Sequence, residues 1–180
     1  LGSGFYNSHS KIRIRLLSRN ANDRFDEAFF ERRIRYAWEY RKAVLREEDL
    51  SCCRIIFGEA DSFPGLTVDR FGDILVTQTL SLGIERLKSV LFPLLLKVPR
   101  EDGQNVRAVY ERNDAAIRNL EGMEQGKGFF KLLDEPLPDD TKTEIVENGI
   151  RYLVDFENGQ KTGHFLDQQE NRGRLKPYAP

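Results

Sequence analysis

Alternating and periodic apolar residues divide the chain into strands and helices. Residues 11–16 alternate strictly between Lys or Arg and Ile or Leu, which predicts a half-buried strand. No partner strand is evident nearby, so we expect this to be the last strand of a sheet that lies mostly outside the sequence. From Asp26 to Arg46 apolar residues recur every three or four positions, with acids in the first turns and bases in the last. This pattern predicts a helix.

The middle of the chain predicts a small sheet covered by helices. Strands are expected at 54–57, 66–70, 74–78 and 108–112, with a type II turn at Pro64-Gly65. Residues 84–98 predict an amphipathic helix that Pro93 should kink or end. A loop-rich stretch (121–142) precedes a hairpin formed by 143–147 and 150–156 around Asn148-Gly149. The predicted fold class is α+β, with a small mixed or antiparallel sheet and packed helices.

The charge distribution limits where the chain could meet phosphate. The net charge is −1, but residues 1–50 carry +3, residues 101–160 carry −7 and residues 161–180 carry +2. Any contact with phosphate is therefore expected from the ends, through Lys11, Arg13 and Arg15 in particular. The alternative is that these three bases only protect an edge strand from aggregation. The sequence has no long apolar run and no signal-peptide pattern, which predicts a cytoplasmic protein without a membrane partner.

Most familiar catalytic patterns are absent from the sequence. The only histidines are His9 and His164, and the only cysteines are Cys52 and Cys53, so no metal site is expected. The adjacent cysteines begin a predicted buried strand, which favours inert packing over nucleophilic chemistry. Asp61, Asp69 and Asp73 are interpreted as turn-forming carboxylates.

The stretch 158–172 is the most unusual part of the chain. It places glycines at 159 and 163 among densely packed donors and acceptors, between a predicted strand and a predicted helix. Two interpretations remain open: a ligand-binding loop, or a polar turn in which Asp167 caps the next helix.

Four segments in order resemble one family. These segments are similar to motifs of bacterial class I S-adenosylmethionine-dependent RNA methyltransferases. The segments are Phe57–Asp73, Tyr110–Asp114 with Arg118 and Glu121-Gly122, Glu147-Asn148-Gly149, and Asn158–Arg172. The branch they resemble makes 5-methylcytosine in large-subunit ribosomal RNA. His164 stands where the family usually has an aromatic residue, and Gln169 where it usually has Arg or Lys.

The resemblance implies a division into parts. Residues 1–18 would be the last strand of an RNA-binding PUA domain, 19–50 a linker helix, 51–140 a central α+β domain, and 141–180 the start of a Rossmann-like methyltransferase domain that is largely missing. In the family the GQKTG loop borders the pocket of S-adenosylmethionine. The cofactor-binding positions it implies are Gln160, Lys161, Thr162, Gly163, Phe165, Asp167 and Gln168.

The function expected from the resemblance belongs to a longer protein. The catalytic cysteine of the family would lie beyond residue 180, so no catalytic residue is predicted here and the chain alone should be inactive. Its partner would be ribosomal RNA, contacted by Lys11, Arg13, Arg15, Arg112 and Arg172. One alternative is a non-catalytic RNA-binding or scaffold module. Another is a homodimer that uses Phe92, Leu94 and Leu95, if they are exposed.

Overall fold

A five-stranded mixed sheet forms the centre of the fold. The computed structural model describes residues 2–132 and 136–178. Its strands are β1 (Ser3–Tyr6), β2 (Ile14–Ser18), β3 (Cys52–Phe57), β4 (Leu66–Phe71), β5 (Ile74–Thr79), β6 (Ala108–Asn113), β7 (Gly126–Phe129), β8 (Lys142–Glu147) and β9 (Ile150–Asp155). The central sheet has the order β3-β4-β5-β6-β7, and only β5 and β6 run parallel. The prediction of a small mixed sheet is confirmed.

Two long helices cover one side of this sheet. The helices are α1 (Glu27–Val44), α2 (Leu82–Glu101), α3 (Ile117–Leu120) and α4 (Gln169–Leu175). The Asp26 side chain caps α1 by accepting a hydrogen bond from the Phe29 amide, at 3.0 Å. The expectation that Pro93 kinks or ends α2 is wrong in its second part, because the helix continues to Glu101. Leu91, Leu94 and Leu95 are buried on both sides of Pro93, and their packing offsets the hydrogen bond that proline removes.

The sheet separates two apolar cores. Side chains alternate along each strand, so Leu75 and Val109 pack beneath the helices while Val76 and Tyr110 point to the opposite side. There the β8–β9 hairpin covers them with Ile145, Val154 and Phe156. Helix α1 belongs to the same core as the sheet, and Phe92, Leu94 and Leu95 lie inside it. Those three residues are therefore not exposed, and the dimer surface that they could have formed is absent.

The N-terminal residues form a separate two-stranded ribbon. Strand β2 begins at Ile14 rather than at Lys11, and it pairs antiparallel with β1, so the expectation of a lone strand is wrong. Leu17 is buried, whereas Tyr6, Ile12 and Ile14 are exposed. The predicted buried face is therefore wrong for this structure: Ile12, Ile14 and Leu16 are exposed, and Arg15 and Leu17 lie on the inward side of β2.

Strand β7 was not predicted, because its sequence Gly126-Lys127-Gly128-Phe129 has little strand propensity. It forms by pairing with β6. Among the described residues, no helix is long and apolar enough to span a membrane.

The Pro64-Gly65 turn joins the sheet to the start of α2. Gly65 has a φ of +87°, as the second central residue of a type II turn requires. The Ser81 hydroxyl donates to the Pro64 carbonyl at 2.8 Å and also caps α2. A Cβ at Gly65 would lie 2.7 Å from the Ser81 side chain, so both the torsion and the contact require glycine.

We expect Gly65→Ala to destabilise the protein more than Gly103→Ala does. Gly103 also has a positive φ (+76°), but a Cβ there would meet nothing within 4 Å. The control should therefore cost about 1 kcal/mol from backbone strain, while Gly65→Ala adds the clash with Ser81. Urea unfolding of both variants measures the difference. Equal losses of stability would contradict this account of the turn.

Candidate functional site

The unusual stretch 158–172 begins as a tight turn at the end of β9. The Asp155 carboxylate accepts hydrogen bonds from the amides of Asn158 (2.8 Å) and Glu157 (3.1 Å). The bond from the Asn158 amide is the main reason that the pKa of Asp155 lies below its usual value. The chain therefore leaves the strand in a defined direction, along the side of the sheet opposite α1 and α2.

A buried carboxylate of the sheet fixes the centre of the loop. Asp69 on β4 is fully buried, and Arg54, directly opposite it on β3, donates two hydrogen bonds to it at 2.7 and 2.9 Å. The Thr162 hydroxyl donates to the same carboxylate at 2.6 Å and is itself buried. The hydrogen bond to Asp69 raises the pKa of Arg54. The interpretation of Asp69 as a turn residue is wrong: it lies inside a strand and connects the sheet to the loop.

Arg112 fixes the beginning of the loop. It is 6% exposed, and its guanidinium donates to the carbonyls of Phe156 (2.8 Å) and Gly159 (2.9 Å). It also bonds the Asp114 carboxylate at 3.1 and 3.2 Å. An RNA contact by Arg112 stays a prediction, but these bonds give the residue a structural role that weighs against it.

Glu147 fixes the end of the loop. This residue is 1% exposed and accepts two hydrogen bonds from Arg172, at 2.6 and 2.8 Å. Arg172 also donates to the Phe165 carbonyl at 2.7 Å. Burial raises the pKa of Glu147, but the bonds and charge of Arg172 outweigh it and hold this pKa below its usual value. Arg172 is thereby engaged within the protein, and its predicted RNA contact is likewise untested.

The two departures from the family pattern both have partners in the structure. The His164 ring packs edge-on against Phe71, with centroids 6.5 Å apart, and lies 5.5 Å from Tyr152. Its Nε2 lies 3.3 Å from Glu147, so the histidine keeps an aromatic position and adds a polar contact. The Gln169 amide donates to Asp49 at 2.7 Å.

Two glycines are needed for the loop to fold back on itself. Gly163 has a φ of +123°, and a Cβ there would lie 2.9 Å from the Phe156 Cα. A Cβ at Gly159 would lie 2.5 Å from the Asp155 carbonyl oxygen. Both glycines are therefore required because other backbone atoms of the chain lie too close for a side chain.

The remaining predicted cofactor positions face outward. Gln160, Lys161, Asp167 and Gln168 are exposed, whereas Phe165 is half-buried. The Lys161 ammonium lies 4.9 Å from the centroid of the Phe165 ring. The structure thus brings amide, ammonium and carboxylate groups together on a loop whose backbone is fixed from beneath. These groups can serve as donors and acceptors toward the hydroxyl, amino and carboxylate groups of a nucleoside-type ligand.

The predicted N-terminal RNA contacts differ among themselves. Arg15 bonds Glu121 at 3.0 Å and Glu59 at 3.3 Å, so its charge is largely compensated. Lys11 and Arg13 are exposed, and neither forms an ion pair within 2–132 and 136–178. Of the three predicted N-terminal contacts, only Lys11 and Arg13 could therefore bind phosphate without first breaking an ion pair.

The cysteines and potential metal ligands do not add a catalytic site. Both Cys52 and Cys53 are buried free thiols, and burial is the main cause that raises the pKa of each to about 12. The prediction of inert packing is consistent with this environment. Within the described ranges, no group of His, Cys, Asp and Glu could hold a metal ion.

Sequence reasoning overlooked the two carboxylates that hold the loop. Asp69 stands between Val68 and the buried Arg70-Phe71 in a strand, and this position could have indicated a buried charge. Glu147 begins the Glu147-Asn148-Gly149 segment, but nothing in the local sequence identifies its partner, Arg172, 25 residues later.

Comparisons with curated proteins identify a consistent set of relatives. No protein-family model matches the chain. Ribosomal RNA large subunit methyltransferase I of Escherichia coli O139:H28 (strain E24377A / ETEC) is 38% identical over 181 residues, covering 99% of this chain and 43% of that protein. The protein of the same name from Klebsiella pneumoniae (strain 342) is 37% identical over 181 residues, with 99% and 42% covered. The chain thus spans less than half the length of the curated relatives it matches.

Solved structures show the same fold. A candidate SAM-dependent methyltransferase from Streptococcus mutans superimposes with a TM-score of 0.73 at 22% identity, covering 97% of this chain and 42% of that one. A candidate methyltransferase complexed with SAH gives a TM-score of 0.74 at 22% identity, with 97% and 41% covered. At this identity the likeness extends to the fold alone.

We expect Thr162→Val to destabilise the protein by about 1–3 kcal/mol, because it removes a hydrogen bond to a buried charged carboxylate. Thr162→Ser is the matched control: it keeps the hydroxyl and should retain most of the stability. Urea unfolding measures both variants, and hydrogen exchange of the amides in 158–165 reports whether the loop loosens locally. An unchanged Thr162→Val protein would mean that Asp69 does not hold the loop.

The Glu147–Arg172 pair should make stability depend on acid. Because the folded pKa of Glu147 lies below the ordinary 4.5, this stabilisation is complete above about pH 5 and is lost as pH falls through the lower folded value. Glu147→Gln should therefore cost ~2 kcal/mol at pH 7 and progressively less below pH 4. Urea unfolding across pH 3–7 tests this. Glu144→Gln, at an exposed surface pair, should change little at any pH. A Glu147→Gln penalty that does not vary with pH would refute the assignment.

Proposed function

We propose that the chain is part of an S-adenosylmethionine-dependent methyltransferase that acts on large-subunit ribosomal RNA. The observation that carries this proposal is the Asn158–Arg172 loop, which buried Arg112, Asp69 and Glu147 hold at three points. The similarity to ribosomal RNA large subunit methyltransferase I over 99% of this chain supports it. The finer proposal, from the motif resemblance, is that the complete protein methylates C5 of a cytosine.

The exposed side chains of the loop would hold the methyl donor. Asp167 and Gln168 offer acceptors for hydroxyl or amino groups, while Gln160 and Lys161 offer donors for a carboxylate. Phe165 adds a half-buried ring surface beside them. The donor, when bound, supplies an electrophilic methyl group. These residues form one side of a binding site, and the rest would come from other parts of the complete protein.

Exposed apolar residues support the proposed division into domains. Tyr6, Ile12 and Ile14 are exposed on the N-terminal ribbon, and they would be covered if the ribbon belonged to a larger RNA-binding barrel of the PUA type. On the β8–β9 hairpin, Val146 and Leu153 are also exposed, and a methyltransferase domain could pack there.

The covalent chemistry would require a nucleophile from elsewhere in the complete protein. C5 of cytosine is a poor nucleophile, and methylation there proceeds after a cysteine thiolate adds to C6. Cys52 and Cys53 are the only cysteines of this sequence, and buried thiols with a pKa of about 12 carry almost no thiolate at pH 7. We therefore propose that residues 1–180 alone are inactive.

Methyl-labelled donor and ribosomal RNA test this proposal. Residues 1–180 should incorporate no label, whereas the complete protein should. In the complete protein, Asp69→Asn should lower incorporation about tenfold, because small displacements of a positioned loop slow catalysis strongly. Asp139→Asn, at an exposed position where the carboxylate forms no ion pair with the described residues, should not change it.

Three results would count against the proposal: label incorporated by residues 1–180, no label incorporated by the complete protein, or normal incorporation by Asp69→Asn. A second candidate function, a non-catalytic RNA-binding module, is favoured by Lys11 and Arg13, which are exposed and form no ion pair with the residues that the structure describes. It predicts salt-sensitive RNA binding that Arg13→Ala weakens, without methyl transfer by the complete protein.

A further inference from the structure

An open cleft of about 710 Å³ lies between α1 and the segment that follows β3. We call it the α1 cleft; its lining includes Arg32, Arg33, Tyr36, Tyr40 and Phe57. Its volume lies within the roughly 300–1,000 Å³ typical of ligand sites. The cleft is separate from the GQKTG loop, and none of the predicted site residues line it.

Buried ion pairing fixes the wall opposite α1. Arg41 donates to Asp61 at 2.6 and 3.2 Å and to the Arg54 carbonyl at 2.6 Å. Asp61 in turn accepts from the Phe57 amide at 2.6 Å, and Arg33 donates to the Ser62 carbonyl at 3.0 Å. The segment 57–62 is thereby held against the helix, and the cleft is preformed.

The charge at the cleft favours an anionic partner. Arg41 compensates Asp61, so the remaining carboxylate of the lining is Asp23. The lining also carries two arginines whose charge no carboxylate bond compensates. Arg33 donates to a carbonyl, and Arg32 is exposed and forms no ion pair with any described residue. The local charge is therefore positive, although the chain as a whole carries −1.

Three large aromatic side chains are exposed beside these bases. Tyr36, Tyr40 and Phe57 are 66%, 58% and 58% exposed. Tyr36 and Tyr40 follow Arg32 at four-residue steps and share its side of the helix. Exposed rings interleaved with arginines are the arrangement on which unpaired bases stack while phosphates are neutralised.

One side chain, Arg54, connects the α1 cleft to the GQKTG loop. The Arg54 guanidinium lies 5.2 Å from the centroid of the Phe57 ring and also bonds Asp69, which holds Thr162. The Phe57 ring is thereby linked, through Arg54, to the Asp69–Thr162 pair that holds the GQKTG loop.

We propose that the α1 cleft binds an unpaired segment of the RNA substrate, stacking bases on Tyr36 and Phe57 and pairing phosphate with Arg32. This inference rests on the proposed function, which makes RNA the partner. It adds a second contact surface to the N-terminal bases Lys11 and Arg13.

Binding of residues 1–180 to a fluorescent single-stranded RNA of about 12 nucleotides tests the inference. Tyr36→Ala and Phe57→Ala should each weaken binding about 5- to 100-fold, since stacking contributes that much per base. Tyr36→Phe should bind normally because it keeps the ring. Arg32→Ala should reduce the slope of log affinity against log salt by about 0.7.

Two controls separate the α1 cleft from general surface effects. Tyr178→Ala removes an aromatic side chain that is 85% exposed elsewhere, and Arg151→Ala removes a base of similar exposure on the hairpin. Neither should alter binding. Double-stranded RNA of equal length should bind the wild type more weakly, and Tyr36→Ala should leave that binding unchanged.

Three outcomes would overturn the inference. In the first, cleft variants bind like wild type while Arg13→Ala binds weakly, so that the proposed RNA substrate survives without the cleft. In the second, the chain binds no RNA. The proposed function is then tested separately, by measuring methyl transfer by the complete protein. In the third, Tyr36→Ala abolishes self-association of the chain without changing RNA affinity, which would make the cleft a protein interface.

Discussion

The buried charge of Asp69 is the constraint on which the arrangement of this protein depends. A carboxylate with no exposed surface is stable only if its oxygens are hydrogen-bonded, preferably to a cation. Arg54 supplies the cation from the neighbouring strand, and Thr162 supplies a further donor from a loop 93 residues later. When the sheet folds, the buried Asp69 carboxylate can accept a further hydrogen bond. The Thr162 hydroxyl donates that bond only if the loop is correctly placed.

This constraint explains why a polar loop can lie on an apolar layer. Val154 and Phe156, at the end of the β8–β9 hairpin, cover the core on the side of the sheet opposite α1 and α2. Without further bonds, the loop that follows would be free to leave this surface. Arg112, Asp69 and Glu147 give it charge-assisted bonds at its beginning, centre and end, and these are stronger than neutral hydrogen bonds. The outward side chains can then interact with a ligand without having to order the backbone at the same time.

The sequence predicts local features well and long-range pairing poorly. The Asn148-Gly149 hairpin, the type II turn at Gly65 and the α1 cap at Asp26 depend on neighbouring residues and are all present. Strand β7 and the continuation of α2 past Pro93 depend on tertiary packing, which outweighs local propensity. The roles of Asp69 and Glu147 depend on partners far along the chain. Both side chains look like ordinary surface charges until the fold places an arginine beside them.

Arg54 shows how the two ligand surfaces proposed for this chain could be coupled. Its guanidinium contacts the Phe57 ring on one side and the Asp69 carboxylate on the other. A base stacked on Phe57 would compete for or reinforce that contact, and any shift of Arg54 would alter the carboxylate that holds Thr162. A single side chain of the edge strand β3 therefore lies between the ring surface of the α1 cleft and the carboxylate that holds the loop.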